Sequence, residues 1–407
     1  MMKNIKKICV VWESIEQGGV NSYLRDLILS NNFKSSDITI FTNRNNLGIN
    51  YLKQDLAKRK KIKIKNYLSF FTLNDELRIL KILIQLISPI FFIYKIFKFK
   101  RLFKNKKFDF LIAQCGNYGT VRSEQAAIIA ARLSGIRVTT LVIHHECRKP
   151  PIFTRLINYL INQILKKYIT SVICVSKATM KSLKIRSNLL TNSKFEKSVI
   201  HNGIPITNLP KKNYLKNIIK INKKDINICM LSRITPNKGQ NDLIESFSKL
   251  EWKIQKKIKI YLIGNGKKFY KLELKKKIHN LKLEKKIFIF DYINLDSSKI
   301  ISSFDLFISL TKDYEGFGLS IAEAMNVKTP IIATNVGAVN EFFNNNCGRL
   351  IEPNNSQQLK NSLKDFVNNK EKWFKKAEFA KKTINKNFSD YVMSKNYFNH
   401  FAKHFKK

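Results

Sequence analysis

Acidic residues are scarce in this chain of 407 residues, and the imbalance limits the partners it can have. It contains 29 Asp and Glu against 75 Lys and Arg, which gives a formal net charge of +46. Nucleic acid, an anionic membrane surface or a phosphorylated substrate would each balance such a charge. Because the chain is also rich in Lys, Asn, Ile and Phe, AT-biased codons explain the excess equally well.

Cysteine pairs with metal-binding or redox spacing are absent. The six cysteines are scattered, and most lie in apolar runs, where Cys behaves as a small hydrophobe: Cys9, Cys115, Cys147, Cys174, Cys229 and Cys347. Near the start, the apolar run Ile8–Trp12 is shorter than the roughly 7–15 residues of a signal-peptide core. We therefore expect a protein of the reducing cytoplasm.

A long uncharged run is lacking too. Ile82–Tyr94 carries no charge but falls short of the ~20 residues that a spanning helix requires. It lies within Leu77–Phe103, and basic residues flank it: Lys81, Lys95, Lys98, Lys100 and Arg101. Two explanations stay open, a helix lying in a membrane interface and an amphipathic helix packed on a sheet and bent at Pro89.

What is present is a regular alternation of strands and helices. A chain of this length exceeds the roughly 250–300 residues of one hydrophobic core, so two domains are expected. Apolar content drops near residues 211–224, which predicts the boundary. Each half then reads as a Rossmann-like α/β unit with a parallel sheet. Ligands of such sheets bind at the carboxyl ends of the strands.

The predicted elements of the first half are the strands Lys6–Trp12, Ile38–Phe41, Phe108–Ala113, Val138–Ile143 and Ser171–Val175, with helices Val20–Leu29, Ser123–Leu133 and Phe153–Lys167. Those of the second half are the strands Ile226–Leu231, Ile258–Ile263, Ile287–Phe290, Leu306–Ser309 and Ile331–Thr334, with helices Asn241–Leu250, Phe269–Leu281, Ser297–Ser303, Ser320–Asn326 and Gln357–Asn368. The basic tail from Trp373 also has helical spacing.

The strongest motif follows the predicted strand Leu306–Ser309 and reads EGFGLSIAEAM, from Glu315 to Met325. Its two glycines permit a tight turn with open backbone amides, and the helix after them points its positive end at the turn. A diphosphate or a sugar suits such a place. Glu315 and Glu323 can each accept hydrogen bonds from paired hydroxyls. A purely structural alternative is a capping box between Ser320 and Glu323.

This motif resembles the signature of family 4 glycosyltransferases, retaining group 1 enzymes of the GT-B fold. Further segments follow in the family's order: Leu231–Arg233, Pro236–Gly239, Ile263–Gly266, Asp305–Ile308, Pro330–Thr334, Gly337 with Glu341, and Gly348–Leu350. The resemblance covers nearly the whole second half. It implies two Rossmann-like domains facing across a cleft, with a C-terminal helix crossing back to the first. The expected bounds are 1–210 for the acceptor domain, 211–385 for the donor domain and 386–407 for that helix.

The resemblance also implies roles for particular residues. Arg233 and Lys238 would clamp the donor diphosphate, and preorganised cations there would stabilise the charge that grows on the leaving group. Glu315 would contact the transferred sugar and Glu323 the ribose. The full donor set in this half is Arg233, Lys238, Glu315, Gly316, Phe317, Gly318, Leu319 and Glu323. In the loop before Glu341, the sequence Asn335–Asn340 lacks the second glycine and the proline often found there, which puts its donor contacts in doubt.

The first half adds two weaker matches. Glu16–Val20 resembles the family's N-terminal glycine loop, so Gly18 and Gly19 are expected to bind the donor. His145 matches a His that contacts the donor sugar and joins Glu315, Arg233 and Lys238 as catalytic, with His144 as the alternative. A hydrogen-bonded structural His is the competing interpretation of this pair.

The resulting hypothesis is a retaining sugar transferase. A UDP- or GDP-linked sugar is the expected co-substrate, and a cell-envelope or lipid-linked glycan, such as lipopolysaccharide, is the acceptor. No other cofactor is expected, and no metal, because the sequence has no Asp-x-Asp at a strand end and no cluster of His and Cys. We expect the protein on the inner face of the cytoplasmic membrane, without specific nucleic-acid binding.

Two alternatives are weaker. A nucleotide-sugar epimerase shares the GT-B fold, but it is disfavoured because Arg233, Lys238 and the Glu315–Glu323 loop occur together in the transferase pattern. A basic nucleic-acid-binding protein fits the charge, yet no RNP-like module is present and the basic residues are spread throughout.

Overall fold

The computed structural model describes residues 7–14, 18–57, 59–67, 78–119, 123–210 and 212–404. They form two compact units. The N-terminal unit runs to Gly203 and resumes at Asp390, and the C-terminal unit is Ile204–Ser389. The expected division lay at 210/211 and 385/386. The chain changes units at 203/204 and 389/390 because Ile204 pairs with Ser389, and the Ile204 amide donates to Phe388 O at 3.0 Å.

The N-terminal unit contains a parallel sheet, seven-stranded within the described residues, in the order β3-β2-β1-β4-β5-β6-β7. Its strands are β1 (Lys7–Trp12), β2 (Asp37–Asn43), β3 (Ile62–Tyr67), β4 (Phe110–Cys115), β5 (Val138–Ile143), β6 (Ser171–Cys174) and β7 (Glu196–Val199). Strands β4 and β5 are buried at every residue, as expected for central strands covered on both faces. The sequence missed β3 because Lys63 and Lys65 interrupt its apolar pattern at the sheet edge.

Helices cover both faces of this sheet: α1 (Gly19–Leu29), α2 (Leu47–Ala57), α3 (Arg78–Phe103), α4 (Ser123–Leu133), α5 (Arg155–Tyr168), α6 (Lys177–Arg186) and, from the end of the chain, α14 (Asp390–Lys403). Right-handed crossovers put α3, α4 and α5 on one face, where α4 packs between its two neighbours. On the other face α1 packs against α2 and α14. The rings of Phe110 and Phe401 lie 4.7 Å apart, so α14 is part of this unit's core.

Helix α3 contains Pro89 and presents two different sides after it. Phe92, Phe99 and Phe103 are buried in the core of the unit. On the outer side, Ile90 and Phe97 are 69% and 67% exposed. Among the described residues, no helix is both long and apolar enough to cross a bilayer. The amphipathic helix packed on a sheet is therefore correct, and the membrane-interface interpretation, which is compatible with it, stays a prediction. Leu77 lies outside the described residues.

The C-terminal unit contains a second parallel sheet, six-stranded within the described residues, in the order β10-β9-β8-β11-β12-β13. Its strands are β8 (Ile226–Leu231), β9 (Ile258–Ile263), β10 (Ile287–Phe290), β11 (Leu306–Ser309), β12 (Ile331–Thr334) and β13 (Arg349–Ile351). All but the short β13 have the predicted bounds. Because β8 and β11 are neighbours, the loops that follow them meet at one edge of the sheet.

The helices of the C-terminal unit are α7 (Gln240–Ser248), α8 (Trp252–Gln255), α9 (Lys268–Asn280), α10 (Ser297–Ser302), α11 (Leu319–Asn326), α12 (Ser356–Asn368) and α13 (Lys370–Asn387). Helix α11 lies against α10 and α13. Its Ile321, Ala322, Ala324 and Met325 are fully buried or nearly so. This packing fixes where α11 begins, and with it the loop that precedes it. The α/β class with two Rossmann-like units is confirmed.

Candidate functional site

The loop after β8 carries Arg233 and is tied closely to the loop after β9. The Ile234 amide donates to Asn265 O at 2.7 Å, and Gln240 Nε2 donates to Arg233 O at 2.8 Å. Gly264 has φ +152°, and a Cβ there would lie 1.9 Å from Ser232 O. Only glycine allows this close approach. The backbone under Arg233 is therefore fixed, while its side chain is exposed at the carboxyl edge of the sheet.

Lys238 ends a short 3-10 turn, Pro236–Lys238, that leads into α7. The next residue, Gly239, has φ +80°, and a Cβ on it would lie 2.4 Å from Leu310 O. The Lys312 amide donates to Asn237 O at 2.9 Å across the same contact. The glycine thus lets the turn pack directly on the loop after β11. Lys238 reaches that loop as a result.

Lys238, Thr311 and Glu315 form a compact polar group. Lys238 Nζ lies 2.8 Å from Glu315 Oε2 and donates to Thr311 Oγ1 at 3.1 Å, and Thr311 Oγ1 donates to Glu315 Oε2 at 3.1 Å. Thr311 is buried, whereas the side chains of Lys238 and Glu315 keep about a fifth of their surface exposed, at 18% and 21%. The structure therefore brings two predicted site residues together through a hydroxyl that the sequence analysis missed.

Helix α11 begins at Leu319, with Gly318 at φ +103° as its N-cap. The first helical hydrogen bond runs from the Ala322 amide to Gly318 O at 3.1 Å, so the amides of Leu319 and Ser320 precede the helical ladder. Phe317 is buried, and its ring stacks on Phe342 with centroids 4.6 Å apart. The backbone from Gly316 to Leu319 is thereby held at the positive end of the helix.

The capping box between Ser320 and Glu323 is wrong. Ser320 stands two residues after the cap, inside the helix, and its side chain caps nothing. Glu323 is half-buried, and its Oε1 accepts a hydrogen bond from Ser297 Oγ at 3.1 Å. Ser297 opens α10, whose N-cap Asp296 accepts from the amides of Ser298 and Lys299. Glu323 is thus positioned by a neighbouring helix and is available for a role other than capping.

The loop after β12 packs on the backbone of Glu315. The Ala338 amide donates to Glu315 O at 2.9 Å. Gly337 has φ +57°, and a Cβ on it would lie only 2.2 Å from that same oxygen. Thr334 Oγ1 also donates to Thr311 O at 2.6 Å. This loop lacks the second glycine and the proline often found before the Glu. It nevertheless makes a close backbone contact that fixes Glu315.

In the N-terminal unit, Gly18 is the N-cap of α1, which begins at Gly19 directly after β1. Gly18 has an extended backbone, and no heavy atom of the described residues lies within 4 Å of where its Cβ would be. The glycine is therefore not imposed by packing. Glu16 and Gln17 of the same motif lie outside the described residues.

The two histidines after β5 have different surroundings. His144 is buried against the Tyr23 ring of α1, and its Nε2 lies 2.6 Å from Gln114 Oε1. Burial lowers the pKa of His144 to about 3, so the ring is neutral at physiological pH. His145 is half-buried, with Nδ1 3.1 Å from Asn117 Nδ2. The surroundings of His144 are those of a structural residue, and His145 is the more accessible of the two.

One group of potential metal ligands occurs within the described residues, in the N-terminal unit: Glu196 of β7 with His400 and His404 of α14. Glu196 Oε1 is also 3.2 Å from Lys403 Nζ, and its Oε2 is 3.1 Å from His404 Nε2. The carboxylate therefore has a cationic partner, Lys403, without a metal. About two hundred residues separate Glu196 from the histidines, so the sequence analysis did not connect them.

Comparison with known proteins identifies the C-terminal unit. Residues 211–386 match the family model of the glycosyl transferases group 1. This segment is therefore similar to the group 1 glycosyltransferases. It includes all the donor residues predicted in the second half of the chain.

Relatives with curated descriptions are similar over part of their length. An uncharacterized glycosyltransferase, MJ1178 of Methanocaldococcus jannaschii, is 28% identical over 214 residues, which are 50% of this chain and 53% of that protein. A poly(ribitol-phosphate) α-N-acetylglucosaminyltransferase of Staphylococcus aureus is 28% identical over 172 residues, 42% of this chain and 32% of that protein. The chain thus matches about half or less of each relative's length.

A solved structure matches the fold of the whole chain. Anabaena HepE, solved in complex with UDP, superposes with a TM-score of 0.73 at 18% identity, covering 98% of this chain and 100% of that one. The architecture is therefore GT-B, as the sequence predicted. The roles of the individual site residues stay predictions.

Thr311 and Ser297 are the residues that the sequence analysis missed. Thr311 comes two residues after the end of β11, where strand-end residues were expected to matter, so its position was a usable signal. Ser297 had none. It reaches Glu323 only because α10 packs beside α11.

Proposed function

We propose that the protein is a retaining glycosyltransferase that moves a sugar from a nucleotide-diphosphate sugar to a cell-envelope or lipid-linked acceptor. The observation that carries the proposal is the group formed by Lys238, Thr311 and Glu315. It lies on the loop that leads to the N-terminus of α11, within the segment that matches the group 1 family model.

Arg233 and Lys238 supply positive charge for the leaving diphosphate. As the bond from the anomeric carbon to the phosphate oxygen breaks, negative charge grows on that oxygen, and fixed cations and amide dipoles stabilise it. The first amides of α11 add to this field because they precede the helical hydrogen bonds. In this proposal the cations do the work that a divalent metal does in other transferases, so the reaction needs no metal.

The carboxylates orient the donor. Glu315 accepts hydrogen bonds from hydroxyls of the transferred sugar, and Glu323 accepts them from the ribose, with the amides of Phe317 and Gly318 between them. Thr311 and Ser297 hold the two carboxylates in place. The UDP bound to HepE, a protein of the same fold, supports a UDP-linked donor.

In this proposal the anomeric configuration is retained because the acceptor attacks the anomeric carbon on the same face that the diphosphate leaves. The acceptor oxygen forms the new bond to the anomeric carbon, and the departing phosphate oxygen takes the acceptor's proton. No separate protein base is then required. His145, at the end of β5, contacts the sugar in this proposal and does not act as a base.

The acceptor and the location are supported less strongly than the reaction. The Staphylococcus aureus relative is named for transfer to poly(ribitol-phosphate), a phosphate-rich polymer. The outer side of α3 combines exposed apolar residues, such as Ile90 and Phe97, with exposed Lys100 and Arg101. Such a surface suits peripheral binding to the anionic inner face of the cytoplasmic membrane.

Donor hydrolysis tests the proposed reaction. The full-length protein is incubated with a panel of UDP- and GDP-linked hexoses and N-acetylhexosamines, with EDTA present, and nucleoside diphosphate release is measured. We expect release from one or two donors, unaffected by EDTA. Absence of release and of nucleotide binding across the panel would reject the transferase proposal, and activity that EDTA abolishes would reject metal independence.

Vesicle binding tests the location. We expect the protein to cosediment with vesicles that contain phosphatidylglycerol, less so as salt rises, and not with phosphatidylcholine alone. Duplex DNA of matched charge serves as the comparison. Binding to DNA as tight as binding to the anionic vesicles would favour the nucleic-acid alternative.

A further inference from the structure

A cavity of about 390 Å³ lies in the N-terminal unit, beside the loops that follow β4 and β5. Its walls come from Tyr118 and Gly119, from the segment Cys147–Pro150, from the first turns of α5 and from the end of α6. The residues assigned to the donor do not line it. The volume is sufficient for a phosphate group and part of its substituent.

Four cationic side chains line this cavity: Arg148, Lys149, Arg155 and Arg186. Arg186 Nη1 is paired with Glu146 Oε1 at 2.6 Å. The other three have no carboxylate partner in the described part of the chain. Three positive charges around one concave surface would attract an anion, and phosphate is the anion whose oxygens suit several cations at once.

The inner wall of the cavity is polar and partly unsatisfied. Tyr118 OH donates to Asn162 Oδ1 at 2.5 Å, and Asn162 Nδ2 donates to Asn188 Oδ1 at 2.6 Å. This series of hydrogen bonds ends at Asn188 Nδ2, a buried donor with no acceptor among the described residues. A buried donor without a partner carries a free-energy cost that a ligand oxygen or a water would remove.

Helix α5 joins this cavity to an exposed apolar row. The row begins in the 3-10 turn before the helix and repeats at helical spacing: Ile152, Leu156, Tyr159, Leu160 and Ile164. Leu156 is 69% exposed and Leu160 is 52% exposed. Arg155, which lines the cavity, precedes Leu156, and Tyr159 belongs to both the cavity and the row. Cations and apolar surface are therefore continuous along one helix.

We propose that the cavity binds the phosphate group of a lipid phosphate, and that the lipid's hydrocarbon chain lies along the apolar row of α5. The cations explain the head group, and the row explains why the ligand carries a chain. A free phosphate would leave the row unused. That this lipid phosphate is the acceptor or its carrier rests on the proposed function; the binding site itself does not.

Calorimetric titration of the full chain with n-octyl phosphate tests the site, with inorganic phosphate and n-octyl glucoside as comparisons. We expect octyl phosphate to bind about tenfold more tightly than inorganic phosphate, because part of its chain becomes buried, and octyl glucoside to bind weakly. The variant R148Q/R155Q should weaken binding of octyl phosphate by roughly ten- to a hundredfold. Arg148 and Arg155 are both exposed, and thermal melting checks that the double variant folds.

Two further variants separate charge from apolar contact. K34Q/K53Q removes the same charge from exposed positions on the face that carries α1 and α2, and should change octyl phosphate affinity less than about twofold. L156S/L160S should reduce the affinity for octyl phosphate to that for inorganic phosphate, whereas L47S, on α2, should not.

The proposal is overturned if R148Q/R155Q binds octyl phosphate as well as the unchanged protein, or if K34Q/K53Q loses as much affinity. Equal affinity for octyl phosphate and inorganic phosphate would also overturn it, because the site would then accept free phosphate without a lipid. Donor hydrolysis by the unchanged protein is scored separately. Lipid-phosphate binding without donor hydrolysis would reject the transferase function and leave the site standing.

Discussion

Lys238 and Glu323 are the residues whose chemistry the proposed reaction depends on most. Lys238 contacts Thr311 and Glu315, and Glu323 contacts Ser297. We expect K238A and E323A each to lower turnover at least about a hundredfold, the effect of removing one preorganised electrostatic contact. The measurement is kcat for nucleoside diphosphate release. K276A, which removes an exposed cation from α9, is the control, and near-normal activity in both site variants would refute the assignment.

Thr311 is expected to act as a positioning residue. Its hydroxyl lies between Lys238 Nζ and Glu315 Oε2, at 3.1 Å from each, and it is buried. The variant T311V keeps the shape but removes the hydroxyl, so kcat should fall about tenfold, while T311S should restore most of it. Equal loss in both variants would mean that packing, not the hydroxyl, matters at this position.

At the scale of elements, the site depends on loops that touch through glycine. Gly337 lies so close to Glu315 that a Cβ would meet its backbone oxygen at 2.2 Å. We expect G337A to displace Glu315 and to weaken UDP binding at least about tenfold, in addition to the roughly 1–2 kcal/mol cost of a non-glycine residue at positive φ.

Gly135 provides a matched control for that change. It also has positive φ, at +85°, but its chain neighbours aside, no heavy atom of the described residues lies within 4 Å of where its Cβ would be. G135A should therefore lower the free energy of unfolding by about 1–2 kcal/mol and leave UDP affinity unchanged. If G337A binds UDP as well as G135A does, the contact with Glu315 does not position the donor.

At the scale of the whole molecule, the buried His144 makes stability depend on pH. Its pKa is lowered by burial to about 3 in the folded protein, against about 6.5 in the unfolded chain. The unfolded chain therefore binds the extra proton between these values, so the stabilisation is complete above about pH 6.5 and is lost as pH falls toward 3.

The loss between pH 7 and pH 5 should be about 2 kcal/mol from this one residue. We expect urea unfolding of the unchanged protein to show that loss, and H144Q to show correspondingly less of it. The comparison cancels titration of other groups, including Glu124, whose pKa burial raises to about 8. Parallel pH curves for the two proteins would show that folding does not lower the pKa of His144.

The sequence alone was sufficient for the fold class, for five of the strands of the second sheet and for the order of the group 1 motifs. These features are local: apolar runs set the strands, and glycines set the turns beside Lys238 and Glu315. The edge strand β3 of the N-terminal sheet was not predicted because its pattern is polar on alternate residues.

Only the tertiary structure decided how the site residues meet. The sequence could not distinguish a Glu323 that caps its own helix from one held by Ser297, because the answer depends on where α11 begins and on α10 packing beside it. Nor could it connect Arg148 and Arg155 with Asn188, since the cavity that unites them forms only when α5 and α6 pack beside β4 and β5. Local patterns fix elements, whereas contacts between distant segments require the folded chain.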